Sequence, residues 1–390
     1  MSASTRRLLI VFGIGRSGSS LFAGIVARLG FHVPQPEVRA DGTNPRGFSE
    51  PRWVVDFHER LMRKRRVRRF DSRPDAWNVT AAAAADEQAL GDLRYWLAVQ
   101  FVGVENVVVK DPRVDWFLPL WLRCADELGA QASFATMLRH PAEVVRSARD
   151  SYGTWQADAS RAASWLNATL HTEHATRRAR RAYVRYDALL QDWPREIARV
   201  AELLDLDWLR EAERSTHPQV DELVDPTLRR AKIDWDGIDV PPALQALLED
   251  TWGQVTRLAE PQGDGEAART SLDELRASYD RLYADAEAIA QSSVLAAKPR
   301  RQAGARADTG TGTSGLPRAM KRVAARGLRL VPREHRERAR HAASGAWLGA
   351  GGLASLPLRI ALLVPPRYRE RVPLPLARVA LRKIRPRQRL

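Results

Sequence analysis

Four short apolar runs stand out along the first half of the chain, at residues 8–12, 107–110, 133–138 and 183–186. They are rich in Val, Ile, Leu or Tyr, and the stretches between them space their apolar residues as a helix does. Strands that alternate with helices predict a parallel sheet covered by helices. The pattern therefore predicts an α/β fold with three layers around a central parallel sheet.

Helical patterns are clear at residues 56–62 and 81–101, inside a long excursion between the first two predicted strands. They return over residues 194–295. A segment rich in Gly, Thr, Ser and Ala at residues 304–315 predicts a flexible linker. We therefore expect three parts: a main domain at 1–295, a flexible linker at 296–316 and a C-terminal extension at 317–390.

Charge separates the extension from the main domain. Residues 296–390 contain 23 lysines and arginines but four acidic residues, whereas the formal net charge of the whole chain is +15. The main domain is therefore slightly acidic, and its charge gives no support to a nucleic-acid partner. The basic extension, which we expect to be mainly helical or disordered, can lie on an anionic membrane surface.

Cysteine content and hydropathy indicate the compartment. Cys124 is the single cysteine, so an internal disulfide is excluded and a reducing cytoplasm fits. The best candidate for a membrane span, residues 346–364, is interrupted by three glycines, a proline and an arginine. We expect a cytoplasmic protein that can be peripheral to the inner face of the membrane.

The most informative chemical signal is the loop after the first predicted strand. Residues 13–20 read Gly-Ile-Gly-Arg-Ser-Gly-Ser-Ser, and a helical pattern follows. The glycines let a ligand approach the backbone, the start of the helix offers unpaired N–H groups, and the serine hydroxyls and Arg16 add donors. The segment therefore predicts a phosphate-binding loop.

Three kinds of phosphate ligand compete for this loop. A triphosphate loop would carry a lysine where Ser19 stands, which weakens a kinase assignment. The glycine spacing also matches the dinucleotide fingerprint, with Glu37 near the position of a ribose-binding acid, so an NAD(P)-dependent oxidoreductase stays open. The third ligand is a single 5′-phosphate whose charge is met by Arg16. A nucleotide-binding scaffold without catalysis, with the basic extension as its functional part, is a further alternative.

Each predicted strand ends in a polar cluster. The clusters are the Arg16 loop and residues 110–113, 139–141 and 185–187. Ligands of open α/β sheets bind beyond the carboxyl ends of the strands. We therefore expect the four clusters to meet in one crevice.

Four short motifs follow one another along the main domain. They are Gly15-Arg16-Ser17-Gly18-Ser19-Ser20, Asn44-Pro45-Arg46-Gly47-Phe48-Ser49-Glu50, Lys110-Asp111-Pro112-Arg113, and Arg139-His140-Pro141 with Ser147. In this order they resemble the bacterial sulfotransferases that use 3′-phosphoadenosine 5′-phosphosulfate (PAPS), and they are similar to tyrosylprotein sulfotransferases. The resemblance covers about residues 7–231. It implies a P-loop NTPase-like fold and transfer of a sulfuryl group from PAPS to a hydroxyl or an amine.

The resemblance also implies roles for individual residues. Those that would bind the donor are Gly15, Arg16, Ser17, Gly18, Ser19 and Ser20 at the 5′-phosphosulfate, Arg139 and Ser147 at the 3′-phosphate, and Tyr186 at the adenine. Arg16 and Lys110 would stabilise the charge on the transferred group and on the leaving phosphate. Residues 225–230 resemble a late segment that closes over the donor. The Arg-Lys-Gly signature of cytosolic sulfotransferases is missing from this chain.

Three carboxylates compete as the general base that removes the acceptor proton. We favour Glu50, because the order Glu50-x-Arg52 resembles that of the tyrosylprotein enzymes. Glu37 is the second choice. Asp111 is the third, and it is better suited to fixing neighbouring backbone or arginine groups. No histidine forms a metal-binding pattern, so we expect no metal.

The acceptor is indicated only by residue types. Seven tryptophans at positions 53, 77, 96, 116, 121, 155 and 165 are expected in or beside the crevice, where an indole can stack on a sugar or pack in the core. The basic run at residues 63–69 is expected to be a solvated helix face, with attraction of an acidic glycan or headgroup as the alternative. We expect the hydroxyl of a carbohydrate, a glycolipid or another small acceptor.

Overall fold

A parallel sheet forms the centre of the computed structural model, which describes residues 6–213, 216–225, 227 and 233–297. The strands of this described part are β1 (Arg7–Phe12), β2 (Asn106–Lys110), β3 (Gln131–Leu138) and β4 (Arg180–Arg185). Their order across the sheet is β2-β1-β3-β4, and every pairing is parallel. The predicted α/β fold with a central parallel sheet is confirmed.

Helices connect and follow the strands. Those between β1 and β4 are α1 (Ser19–Arg28), α2 (Arg52–Arg65), α3 (Ala76–Ala81), α4 (Glu87–Gln100), α5 (Leu118–Glu127), α6 (Pro141–Tyr152) and α7 (Asp158–Thr176). Those after β4 are α8 (Tyr186–Gln191), α9 (Trp193–Leu204), α10 (Pro218–Asp221), α11 (Pro242–Arg257) and α12 (Glu266–Ala297).

The two faces of β1 show how the layers arise. Successive strand residues point to opposite sides, so Leu8 and Ile10 join one buried cluster with side chains of α2 to α5. Leu9 and Val11 join a second cluster with α1 and α8 to α10. A third cluster unites α6, α7, α11 and α12 beside the sheet. The sheet is therefore covered on both faces, as a buried parallel sheet must be.

The fourth strand starts three residues before the predicted run, and Tyr186 already belongs to α8. The early part was hidden by Arg180 and Arg181, which read as polar. Arg181 is nevertheless buried, because its guanidinium meets Asp264 at 2.7 Å and Glu173 at 3.2 Å. A paired arginine can thus occupy a strand position that its residue type argues against.

The prediction of one helix over residues 81–101 is wrong. The chain makes a 3-10 turn at Ala82–Ala85 and starts α4 afresh at Glu87. Asp86 causes the break, because its extended backbone and its carboxylate, which accepts from the Ala89 N–H, cap the new helix. The alanine-rich pattern conceals this cap.

The linker at 296–316 and the extension at 317–390 lie outside the described residues, except that α12 runs on to Ala297. The arginines at 229 and 230 of the late segment are also outside them. Among the helices that are described, none combines the length and the apolar character needed to cross a membrane.

Candidate functional site

A cleft of about 460 Å³ opens beyond the carboxyl ends of the strands. Its wall includes the loop after β1, Lys110 at the end of β2, Arg139 after β3 and Tyr186 after β4. Its charged lining residues are Arg16, Arg28, Arg46, Arg69, Lys110, Arg139 and Arg146, against Glu50, Asp150 and Asp225. The structure therefore brings the four predicted clusters to one place, and the excess of positive charge suits a polyanionic ligand.

The loop after β1 has the backbone of an anion cradle. Gly13 and Gly18 have φ angles of 137° and 94°, which favour glycine, and α1 begins directly afterwards at Ser19. The first turn of a helix leaves N–H groups without intrahelical acceptors, and Ser19 and Ser20 place theirs beside the cleft. At Gly18 a Cβ would lie 2.3 Å from the Tyr186 ring. The loop therefore packs directly on Tyr186.

Ser17 differs from the other predicted loop residues. Its side chain is 1% exposed, and it is absent from the residues that line the cleft. A Cβ on Gly13 would lie 2.2 Å from Ser17 Oγ, so the Ser17 hydroxyl packs directly against Gly13. This hydroxyl has no hydrogen-bond partner among the described residues. A contact from Ser17 to a ligand would have to come from its backbone or after a rotation of its side chain.

Arg16, Arg139, Ser147 and Tyr186 form one contact group across the loop. Arg16 Nε donates to Ser147 Oγ at 3.0 Å, and Arg16 Nη1 donates to the carbonyl of Thr43 at 3.1 Å. Arg139 Nη1 donates to the carbonyl of Arg16 at 2.8 Å, and its guanidinium lies 4.6 Å from the centre of the Tyr186 ring. Sequence reasoning placed these residues near one another, and the structure brings them together.

Ser147 reaches this group because of the way α6 begins. Pro141 is the first residue of the helix, and His140 caps it by accepting from the Ala142 N–H. Arg139 comes directly after β3, so the strand end and the second turn of α6 face the same loop. A cation and a hydroxyl are thereby fixed next to the first anion cradle.

Glu50 and Lys110 are paired on the other side of the cleft. Lys110 Nζ donates to Glu50 Oε1 at 2.6 Å and to Ser20 Oγ at 3.1 Å. Both charged side chains are buried almost completely, at 8% exposure for Glu50 and 3% for Lys110. Lys110 thus connects the phosphate loop to the favoured base.

A buried polar network supports this pair from behind. Arg113 Nη1 lies 2.6 Å from Asp111 Oδ1 and 3.9 Å from Glu50 Oε2. Asp111 Oδ2 also lies 2.7 Å from His58 Nδ1, while Trp121 Nε1 donates to His58 Nε2 at 2.9 Å. Because an indole can only donate, His58 Nε2 is the acceptor and Nδ1–H donates to Asp111.

Electrostatics keep this network in one protonation state. Burial lowers the pKa of His58, although the hydrogen bond to Asp111 acts in the opposite direction, so the imidazole stays neutral. Burial alone would raise the pKa of Asp111, but the charge of Arg113 and the hydrogen bond from His58 hold it below its ordinary value. Asp111 is therefore ionised, and both of its carboxylate oxygens already accept hydrogen bonds. This agrees with its being the third choice as the general base.

Glu37 lies apart from the cleft lining. Its carboxylate accepts from Gln35 Nε2 at 2.7 Å, and its backbone pairs with Pro51. Of the three candidate bases, Glu50 is the carboxylate that faces the cleft, since Asp111 is completely buried.

Four arginines that line the cleft were not predicted as site residues: Arg28, Arg46, Arg69 and Arg146. Arg46 donates to the carbonyl of Leu223 and to Asp225 Oδ2 at 3.0 Å, so it connects the loop before Glu50 to the late segment. Arg69 was expected on a solvated helix face, but α2 ends at Arg65 and the chain turns away at Arg66, where φ is 55°. The Asn-Pro-Arg-Gly motif could have indicated Arg46, whereas no local signal marks Arg69.

Of the two roles considered for the tryptophans, core packing is the one that the structure shows for most of them. Within the described lining of the cleft there is no tryptophan. Trp77, Trp96, Trp116, Trp121 and Trp165 are buried in the core, and Trp155 is 65% exposed. Trp77 and Trp116 stack with their ring centres 3.6 Å apart, which is core packing rather than sugar binding.

The acidic and histidine side chains of the described residues do not gather into a metal site. In the part of the chain that the structure describes, no group of three or more His, Cys, Asp or Glu side chains is arranged to hold a metal ion. The carboxylates Glu50 and Asp225 at the cleft are instead paired with the cations Lys110 and Arg46.

Known proteins provide a comparison for this arrangement. A sequence model described as the sulfotransferase family matches residues 9–210, just over half of the chain. The sulfotransferase domain from the Synechococcus PCC 7002 olefin synthase is 18% identical, with a TM-score of 0.37 over 66% of this chain and 97% of that one. The sulfotransferase domain from the curacin biosynthetic pathway is 14% identical, with a TM-score of 0.39 over 65% and 99%. Among curated proteins, no sequence matches significantly.

Proposed function

Because the chain belongs to the sulfotransferase family and is therefore an enzyme of sulfuryl transfer, we propose that its donor is PAPS and its acceptor a hydroxyl of a carbohydrate or glycolipid. The observation that carries the choice of donor is the pair of anion sites at one cleft. The phosphate loop is one site, and Arg139 with Ser147 is the second. PAPS carries two separate phosphate groups that match this pair.

In this proposal the first site holds the 5′-phosphosulfate. The N–H groups of Gly18, Ser19 and Ser20 and the side chain of Arg16 donate to its oxygens. The 3′-phosphate takes the place that Arg16 now has at Ser147, and Arg139 pairs with it. The adenine stacks beside the ring of Tyr186, which already packs on the loop.

Chemistry occurs where Glu50 and Lys110 meet the loop. The acceptor hydroxyl oxygen attacks sulfur, and a new bond between that oxygen and sulfur forms. The bond between sulfur and the bridging oxygen breaks, and its electron pair stays on the 5′-phosphate of the leaving 3′,5′-adenosine bisphosphate. The hydroxyl proton passes to the carboxylate of Glu50, which acts as the general base. Lys110 and Arg16 stabilise the negative charge that develops on the oxygens.

The ion pair between Lys110 and Glu50 sets the order of events. While Lys110 Nζ donates to Glu50 Oε1 at 2.6 Å, that oxygen is not available to an acceptor. The phosphosulfate offers Lys110 a second anion on the side of Ser20, to which Lys110 already donates. Binding of the donor therefore draws Lys110 away and releases Glu50 for the acceptor proton.

The acceptor assignment is supported by polar groups of the cleft. Asn44, Ser49, Ser151 and Tyr152 line the cleft with amide and hydroxyl groups that can bind sugar hydroxyls. Glu50 lines the same cleft. Together these polar groups can bind the hydroxyls of a polyhydroxylated molecule.

Two measurements test the proposal. Isothermal titration with 3′,5′-adenosine bisphosphate, NADH and ATP should give tight binding of the bisphosphate alone. Tight binding of NADH or ATP without the bisphosphate would contradict the choice of donor. Incubation with radiolabelled PAPS and separate glycan, glycolipid and phenol fractions should place the label in a glycan or glycolipid. Label confined to the phenols would contradict the choice of acceptor.

A further inference from the structure

The guanidinium of Arg69 lies next to the phosphate loop and contacts two aromatic rings. It lies 5.1 Å from the ring centre of Phe70 and 5.7 Å from that of Tyr152. Rings that cover the faces of a guanidinium leave its N–H groups free to donate in the plane. Arg69 is thus held in place without using its hydrogen-bond donors.

The absence of a side chain at Gly15 leaves room for the Arg69 guanidinium. A Cβ at Gly15 would lie 2.6 Å from Arg69 Nη2, well inside van der Waals contact. Gly15 does not have a positive φ, so its backbone would allow other residue types. Close approach of Arg69 is therefore a reason for glycine at this loop position, and it places Nη2 against the loop backbone.

The positive charge of Arg69 is not neutralised locally. Arg69 forms no ion pair with a carboxylate of the described residues, and its buried Nε has no hydrogen-bond partner among them. The buried Asp115 interacts electrostatically with Arg69, but burial raises the pKa of Asp115 to about 8. That carboxyl is therefore mostly protonated at neutral pH and leaves the arginine charge uncompensated.

Other cations of the cleft are already engaged. Arg16 points across the loop to Ser147 and Thr43, and Lys110 is paired with Glu50. Arg46 and Arg146 pair with Asp225 and Asp234. Arg28 and Arg139 donate to the carbonyls of Gly24 and Arg16. Among the described cations that line the cleft, Arg69 is the one with neither an ion pair nor a hydrogen bond to another described residue.

We propose that Arg69 donates to the sulfuryl group of the bound donor and stabilises it during transfer, which makes Arg69 a further catalytic residue. The inference rests on the proposed PAPS donor. The sulfuryl group is the part of PAPS that 3′,5′-adenosine bisphosphate lacks, so the two nucleotides separate a contact with this group from a general effect of charge. Removal of the Arg69 guanidinium should therefore weaken the binding of PAPS more than the binding of the bisphosphate.

The test measures both nucleotides on the full chain by isothermal titration without acceptor. Arg69→Gln should weaken PAPS binding by about 10- to 100-fold, as expected for the loss of a charge-assisted hydrogen bond. It should change binding of the bisphosphate by less than about threefold. Arg68→Gln is the matched control, because Arg68 is exposed and its removal subtracts the same charge from the neighbouring position. Equal weakening of both nucleotides, or no weakening of either, would overturn the role of Arg69.

A second variant keeps the test valid if Arg69→Gln does not fold. Gly15→Ala places a methyl group 2.6 Å from the position of Arg69 Nη2, which is too close for an undisturbed contact, and should displace the arginine. It should reduce the preference for PAPS over the bisphosphate, and adding Arg69→Gln to it should reduce that preference no further. Additive losses would overturn the coupling. If the unaltered chain binds neither nucleotide, the choice of PAPS fails and the role of Arg69 fails with it. If it binds both and the variants keep the preference, only the role of Arg69 fails.

Discussion

The charged side chains on the two sides of the cleft have different kinds of partner. On the side of β2, each cation meets a carboxylate, since Lys110 Nζ lies 2.6 Å from Glu50 and Arg113 Nη1 lies 2.6 Å from Asp111. On the side of β3, Arg16 donates to a hydroxyl and a carbonyl. Arg139 there donates to a carbonyl and lies on an aromatic ring, with Glu143 farther away at 3.6 Å. One side therefore pairs its described cations with carboxylates at 2.6 Å, whereas on the other side Arg16 meets a hydroxyl and a carbonyl instead.

This difference supports the proposed places of the two substrates. Arg16 forms no ion pair with another described residue, so its charge is available to a polyanionic nucleotide. A side whose charges are already balanced suits a neutral hydroxyl and the transfer of one proton. In the proposed reaction, the 3′-phosphate of the donor therefore binds on the β3 side, and the acceptor proton is taken up on the β2 side.

The largest effect is expected at the base. Glu50→Gln removes the proton acceptor but keeps the shape, so kcat should fall by about 10²- to 10⁴-fold. Affinity for 3′,5′-adenosine bisphosphate should change by less than about threefold, because the β3 side is untouched. Steady-state kinetics with saturating PAPS and isothermal titration measure the two quantities.

Glu59→Gln is the control for this change. Glu59 contacts Arg113 at 3.2 Å from outside the cleft, and its side chain is 47% exposed. Its loss also removes one carboxylate near Arg113, yet an exposed pair contributes little, so kcat should stay within about threefold. Equal losses in the two variants would show that Arg113, not proton transfer at Glu50, limits the reaction.

The next effect is expected on the β3 side. Arg139→Ala should weaken binding of 3′,5′-adenosine bisphosphate by about 10- to 100-fold, because a charged hydrogen bond to phosphate is lost. Binding of 5′-AMP, which lacks the 3′-phosphate, should change much less. Isothermal titration with both ligands gives the comparison. A similar loss for 5′-AMP would mean that Arg139 acts through the Arg16 carbonyl, which it supports at 2.8 Å.

Sequence reasoning succeeded where residue type and position agree. The first three strands begin within two residues of the predicted runs, because their apolar side chains fill both faces of a buried sheet. It failed where pairing overrides residue type. The buried Arg181 starts β4 inside a charged network, and Asp86 divides an alanine-rich pattern by capping α4.

The candidate site shows the same contrast between features that the sequence predicts and features that it does not. The motifs place Arg16, Lys110, Arg139 and Ser147 on strand ends and a helix that meet at one edge of the sheet. Contacts between distant segments were not visible, since the pair Lys110 and Glu50 spans 60 positions of the chain. The position of Arg69 depends on the left-handed backbone conformation of Arg66. Arginine rarely adopts this conformation, so the residue type does not predict it.

Asp115 is the exception to the balanced β2 side. Its carboxyl is buried under the loop after β1, near Gly13 and Thr136. Burial, together with the charge of Asp111, raises its pKa from 3.8 to about 8. The folded protein therefore binds more protons than the unfolded chain between about pH 4 and pH 8. Stability should fall as the pH rises through this window, by at most about 1.4 kcal/mol per pH unit from this group.

The last prediction concerns stability rather than binding or catalysis. Asp115→Asn keeps the side-chain shape and the oxygen that accepts from the Trp116 N–H at 2.9 Å, but it cannot ionise. Relative to the unaltered protein, its free energy of unfolding should rise steadily from pH 5 to pH 8, as measured by urea titration at each pH. A constant difference across that range would mean that the carboxyl is ionised in the folded state. The charge of Arg69 would then be compensated by Asp115, with which it interacts electrostatically.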